Sequence, residues 1–281
     1  MFVRILPGHA WKPRGNGVWG IREVCVVKLY IMADVSRISG VLWGGLGVPP
    51  WYGFPSLEGD EPRLAMTELV NGAVRGARAA GVSECVIHEA CPLYWPTLED
   101  ASVVRGGETL YLDDSFAGIA FVGQGLARDA HSRAGVETNL EMITWNGRRV
   151  DELTMCALYA GALGVPTVMV HGQSGVLEII RKWLPDVPVA ADVESGLQEN
   201  LRQKCFCRPV LTGEVTTRFR FRVPPLANFH VRLPGVSRVD PVTTETRAPG
   251  VREAFAQYCS VGLVAVADWL KSPLMHPGCR E

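Results

Sequence analysis

The sequence predicts an α/β fold: a mainly parallel sheet flanked by helices, with a smaller α+β lobe toward the C-terminus. Three observations carry this reading. Short apolar runs alternate with amphipathic stretches over the first two thirds of the chain, the pattern of strands covered by helices. The links between them are short, as compact crossover units require. After about residue 194 the pattern changes to polar–apolar alternation and then one long amphipathic stretch.

Each element has its own warrant. "EVCVVKLYIMA" (23–33) is nearly continuous in apolar and β-branched residues and suits a central strand buried on both faces. "GDEPRLAMTELVNGAVRGARAAG" (59–81) predicts a helix, with Asp60 as cap, Pro62 in the first turn and Gly81 as stop. Leu64, Met66, Leu69, Val70 and Val74 supply its apolar stripe. "SECVIHEA" (83–90) and "DSFAGIAFVGQG" (114–125) predict two more strands. Asn146-Gly147 lies between strand-like flanks and predicts a hairpin. A helix over "VDELTMCALYAGALG" (150–164), a buried strand "VPTVMVHG" (165–172), a helix "SGVLEIIRKWL" (174–184) and a short strand "VPVAADV" (187–193) follow. "TTRFRFRV" (216–223) alternates like a half-exposed strand, and "GVREAFAQYCSVGLVAVADWL" (250–270) is the long helix. The organisation read from this is an irregular N-terminal extension, 1–27, rich in Gly, Pro and Trp, and one α/β unit, 28–281. That unit has a main lobe at 28–193 and a smaller lobe at 194–281.

Composition excludes several classes. Of 281 residues, 47% are hydrophobic and 20% charged, enough for a large core and too apolar for disorder. The formal net charge of −1 offers no polybasic surface, so nucleic acid is not an expected partner. No apolar run approaches the roughly 18 residues that cross a bilayer, so no membrane is expected either. The N-terminus lacks the apolar stretch of a secretory signal. The eight cysteines therefore read as reduced thiols in a cytoplasmic protein, and those inside apolar segments (Cys25, Cys85, Cys156, Cys259) as small buried hydrophobes. "CFC" (205–207) has no second pair nearby and is not read as a zinc spacing.

Ligands of α/β sheets collect at the carboxyl ends of strands. Four such places carry polar groups here: Asp34 and Ser36; His88, Glu89 and Cys91 in "VIHEACP"; Gly123-Gln124-Gly125; and Asp151 with Glu152 at a helix start. Singly, each has a structural role to hand. Asp34 can cap a turn, and Glu152 is favoured by the helix dipole. His88 can be a hydrogen-bonded core residue, and Cys91 a buried thiol. Gathered at one edge of one sheet, they make a candidate site.

The chain resembles the D-aminopeptidase (DppA-like) family of zinc metallopeptidases from residue 28 to about 270. "KLYIMADVSRISG" resembles the family's opening strand and acidic glycine turn, and "VIHEAC" its Asn-Asp-x-His motif. "AFVGQGLAR" is similar to its Gly-Tyr-His-Ala strand end, and "WNGRRVDELTMCALYAGALGVPTVMVHG" to its Asn-Gly segment, the helix after it and the next strand. The resemblance implies a hydrolase of peptide or amide bonds, zinc as cofactor, a small peptide or amide substrate and a homo-oligomeric ring. In that family two zinc ions sit on an aspartate, two glutamates and two histidines, with a further histidine assisting. Position by position, Asp34 and Glu152 match ligands. Ser36 stands for the first-turn glutamate, Cys91 and Gly125 for the two histidines, and Asn139 for the assisting one.

Those departures matter chemically. A serine hydroxyl is a poor ligand at neutral pH and Gly125 offers no side chain, which leaves too few donors for a two-metal clamp. Three readings follow. The first is a hydrolase with one zinc on Asp34, Cys91 and Glu152, with His131 or His88 as replacement base. The second is a metal-free acyl-transfer enzyme with Cys91 as nucleophile, His88 or His131 as base and Asn139 as orienting or oxyanion group. The third is an inactive, ring-forming binding module. The first is taken as the working expectation.

Overall fold

The computed structural model describes residues 27–33, 61–89, 101–105, 109, 111–124, 140–172, 174–221, 224 and 235–270. They form two five-stranded sheets. The first is wholly parallel, in the order β3-β2-β1-β4-β7, and comprises β1 (Lys28–Ala33), β2 (Glu84–Glu89), β3 (Ser102–Arg105), β4 (Phe116–Gln124) and β7 (Thr167–Gly172). The second is antiparallel, in the order β6-β5-β8-β10-β9, from β5 (Leu140–Trp145), β6 (Arg148–Val150), β8 (Val215–Phe221), β9 (Val236–Asp240) and β10 (Thr243–Ala248). Its strands thus come from both sides of residue 193. Among the described residues five helices accompany the sheets: α1 (Glu61–Ala79), α2 (Glu152–Ala162), α3 (Ser174–Trp183), α4 (Val193–Gln203) and α5 (Val251–Leu270).

Burial explains which segments became which elements. β1 and β4 are covered on both faces, so their apolar residues are continuous rather than alternating. Leu29, Ile31, Ala120 and Val122 point to one layer, where they meet Met66, Val70, Ala73 and Ala77 of α1 and Leu197 of α4. Tyr30, Met32 and Phe121 point to the other, where they meet α2. α2 is apolar on nearly every side because it is wedged between this sheet, α3 and α5. The layer beyond it holds Trp145, Phe219, Phe221, Phe255 and Tyr258, so one core serves both sheets.

The hairpin expected at Asn146-Gly147 joins β5 to β6. Both residues have positive φ (49° and 76°), the geometry of a two-residue primed turn whose twist suits paired strands. β8 alternates buried and exposed positions as its sequence predicts. Residues 187–193, expected as a strand, instead give a single parallel bridge between Val189 and Val170, after which α4 begins. The residues of the N-terminal extension, 1–26, and Asp60 lie outside the described residues.

Candidate active site at the carboxyl edge of the parallel sheet

Strand order reverses direction between β1 and β4. From β1 the chain proceeds through α1 to β2 and β3 on one side; β4 and then β7 lie on the other. α1 covers one face and α2 the opposite face. Such a switch point opens a crevice beyond the carboxyl ends of the two strands, where α/β proteins bind ligands. β1 ends at Ala33 and β4 at Gln124, and Asp34 and Gly125 are the next residues in the chain.

Glu152 reaches the same edge by connectivity. α2 ends at Ala162, and only residues 163–166 separate it from the start of β7. The Pro166 carbonyl accepts from the Ile119 amide, which fixes that end of the link near the start of β4. A short link makes the helix run antiparallel to the strands, so its first turn lies at the carboxyl edge. Asp151 caps that turn: its backbone is extended and its carboxylate accepts from the Thr154 amide at 2.8 Å. Asp151 and Glu152 are both buried. Glu152 is thus a carboxylate held inside the protein at a helix N-terminus, where the dipole favours negative charge.

His88 is one residue short of the end of β2, level with Met32 of β1. Its exposure is 0%, and its ring stacks on Tyr30 with centroids 5.9 Å apart. Burial pushes the Tyr30 phenol well above its usual pKa, so that ring stays neutral. In this position His88 does not meet solvent. Asp34, Ser36, Cys91, Gly125, His131 and Asn139 lie outside the described residues. Among the described residues no group of three or more His, Cys, Asp and Glu gathers as a metal cage.

Two residues at this edge gain roles that their sequence context leaves open. The Gln124 side chain is buried and its amide donates to the Met32 carbonyl at 3.2 Å and the Val122 carbonyl at 3.3 Å, tying the end of β4 to the end of β1. His171, the next-to-last residue of β7, accepts the Gly123 amide hydrogen on Nδ1 at 3.3 Å. Burial lowers its pKa, against a smaller opposing pull from the Asp192 carboxylate. The signal for His171 was present in the sequence: a polar residue at the carboxyl end of a buried strand.

Of the cysteines outside this edge, Cys85 and Cys156 behave as small hydrophobes, whereas Cys259, expected to be buried, is only half-buried and Cys205 is exposed; Cys25 lies outside the described residues. Cys85 and Cys156 are buried, and burial pushes the Cys85 thiol up to about 11. Cys207 pairs its backbone with Thr167. A cavity of about 380 Å³ lined by Arg148, Leu158, Trp183, Cys207 and Arg208 lies near that first residue of β7, at the opposite edge from the strand ends.

Family comparison decides the lineage. The D-aminopeptidase family matches residues 27–200, which contain the whole parallel sheet, α1 and α2. The chain belongs to the D-aminopeptidase family. A D-aminopeptidase of Bacillus subtilis (strain 168) is 27% identical over 188 residues, 59% of this chain. The match spans 63% of the length of that curated relative. Among solved structures, the Zn-dependent D-aminopeptidase DppA from Bacillus subtilis, a self-compartmentalizing protease, superposes with a TM-score of 0.67. The superposition covers 88% of this chain and 99% of that one at 20% identity, a likeness of fold. The D-aminopeptidase fold thus accounts for both sheets, the antiparallel one included.

Proposed function

We propose that this D-aminopeptidase family member hydrolyses small peptide or amide bonds at a site reduced to one zinc, held by Asp34, Cys91 and Glu152. The placement of Glu152 carries the reading: a buried carboxylate at the start of α2, delivered to the same edge as the ends of β1, β2 and β4. The donor set suits the ion, since carboxylate oxygen and thiolate sulfur are zinc ligands and three such donors leave an open position. Zinc bound there would polarise the scissile carbonyl and lower the pKa of a water. A second ion lacks donors, because Ser36 and Gly125 replace the side chains it needs.

The chain's own residues do the rest. Glu152 supplies fixed negative charge and, with His88 fully buried, His131 takes the role of base. A thiolate ligand calls for a reducing compartment, in keeping with a cytoplasmic setting. Likeness to a self-compartmentalizing neighbour supports assembly into a homo-oligomeric ring.

Metal analysis of the purified protein tests this. The expected result is about one zinc per chain, lost on Cys91→Ser. The zinc-loaded protein should cleave members of a panel of D- and L-amino-acyl amides that Cys91→Ser leaves intact. Metal-free protein whose Cys91 alkylates rapidly at neutral pH would replace this reading with a cysteine-centred acyl-transfer enzyme. Metal-free protein with an inert Cys91 would leave a non-catalytic module.

A further inference from the structure

We infer that His171 is a positioning residue that sets the course of β4 as it leaves the sheet at the switch point, by accepting the Gly123 amide hydrogen. The inference deepens the reading above and rests on it for its functional consequence. Its geometric part stands alone.

The pairing of β4 with β7 is irregular at this point. Phe121 pairs with Val170 and Gln124 with Gly172, so two β4 residues, 122 and 123, face the single residue 171. Gly123 takes up the extra residue with φ of +72°, a conformation that L side chains rarely adopt. This is a bulge, and bulges beside functional sites re-aim the strand that follows. A bulge removes the ladder acceptor that the Gly123 amide would otherwise have, and a buried amide must be satisfied. The His171 imidazole supplies the acceptor at 3.3 Å. Just beyond, β7 and β4 touch closely: a Cβ on Gly172 would lie 2.3 Å from the Gln124 carbonyl oxygen. Gln124 in turn binds the Met32 carbonyl of β1. The end of β4 is therefore clamped on both sides, by an imidazole from β7 and by its own amide to β1, immediately before residue 125.

The clamp has a protonation requirement. Nδ1 accepts only in the neutral imidazole with its hydrogen on Nε2. Burial favours that neutral form, and the charge of the Asp192 carboxylate, at the N-cap of α4, opposes it in part. Asp192 is itself held below its usual range, first by the Ser195 hydroxyl and amide, so its charge persists. β4 offers only uncharged backbone at Gly123. Acid protonates Nδ1 and turns an acceptor into a donor facing another donor, so the bond is lost as pH falls through the lowered pKa of His171.

Hydrogen–deuterium exchange of the full chain, with fragmentation that isolates residues 121–125, tests the geometric part without any substrate. Wild-type Gly123 should be protected at least tenfold more at pH 8 than at a pH below the His171 titration midpoint, located by NMR on the same protein, after correction for intrinsic exchange. His171→Leu should remove the protection at both values. His171→Asn, whose side-chain carbonyl can replace Nδ1, should keep it at both. Equal exchange in wild type and His171→Leu at both pH values overturns the inference. Zinc titration then tests the functional part: the Gln124 amide ties the end of β4 to the Met32 carbonyl, two residues before the proposed ligand Asp34, so affinity should drop about tenfold in His171→Leu and recover in His171→Asn. Lost protection with unchanged zinc affinity overturns the positioning role. If wild type binds no zinc, the one-zinc reading fails, and the exchange data alone decide whether His171 sets the course of β4.

Discussion

Glu152 lies one residue past the side chain that caps its own helix, and the two neighbouring carboxylates divide the work. Asp151 accepts the Thr154 amide and completes the first turn; replacing it by alanine should cost about 1 kcal/mol, the usual worth of a side-chain N-cap. Glu152 makes no part of that cap. Glu152→Gln keeps its shape and hydrogen-bonding reach while removing the charge, so it should lower stability only by the helix-dipole contribution, about 0.3–1 kcal/mol. It should, however, abolish zinc binding. Two measurements on each variant, urea denaturation and metal content, separate the roles. A Glu152→Gln protein that keeps its zinc would remove this carboxylate from the site. The same scale shows what the sequence could and could not reveal. Glu152 was legible because helix starts with carboxylates are recognisable. His171 follows the same rule of polar residues at strand ends, but its bond to the Gly123 backbone depends on a bulge that no local pattern announces.

Between elements, α1 approaches the first turn of α4 closely. A Cβ on Gly76 would lie 2.3 Å from the Glu194 carbonyl oxygen, whereas on Gly72 its nearest neighbour is the Glu194 Cβ at 3.6 Å. Alanine improves a helix interior by about 1 kcal/mol over glycine. At Gly72 that gain should appear as added stability. At Gly76 the clash is with backbone, overpacking of this kind costs about 1–3 kcal/mol, and the net sign should reverse. Equal urea midpoints for the two variants would refute the close approach. In the second sheet, Glu245 of β10 is buried between Arg218, at 2.8 Å, and Arg247, at 3.3 Å. Hydrogen bonding first to Arg218 and then to Arg247 holds its carboxyl below the usual 4.5. A depressed carboxyl pKa adds stability that is complete above the unfolded value and is lost as pH falls through the folded one. The melting temperature should therefore decline below about pH 4.5, and Glu245→Gln should flatten that decline while lowering the neutral-pH value.

The elements also show why some of the fold was legible and some was not. β1, β2, β4 and β7 are buried runs with β-branched residues, and α1 and α5 carry long apolar stripes, so their chemistry declares them. β10, "TTETRA", and β9, "VSRVD", are polar and held by backbone pairing, β10 to β8 and β9 to β10, which no composition predicts. α4 buries only Val193, Leu197 and Leu201, a thin stripe interrupted by glycine. β3 has four residues and lies at a sheet edge.

At the scale of the molecule, the shared core sets how the protein unfolds. Tyr30, Met32 and Phe121 of the first sheet, Trp145, Phe219 and Phe221 of the second, and the α2 and α5 side chains between them belong to one buried cluster. Neither sheet can lose its inner layer without exposing the other's. Phe219→Ala should therefore cost about 3–5 kcal/mol, as aromatic truncation in a packed core does, and should weaken both sheets together. Exchange protection measured across a urea series should fall at one midpoint for peptides from β1 and β4 and for peptides from β8 and β10. Cutting the chain after residue 193 is the sharper test of a main lobe that stands alone. The cut removes α4, which covers one face of the parallel sheet, and β8, the strand that pairs β5 to the rest of its sheet. The β5–β6 hairpin left behind is a two-stranded ribbon, marginal in water. Its apolar residues Ile143 and Trp145, with the outer side of α2, would face solvent. The fragment should aggregate on expression or unfold without a cooperative transition. A soluble fragment melting as sharply as the full chain would mean that the two sheets stabilise themselves separately, and that the second was added to a core already sufficient.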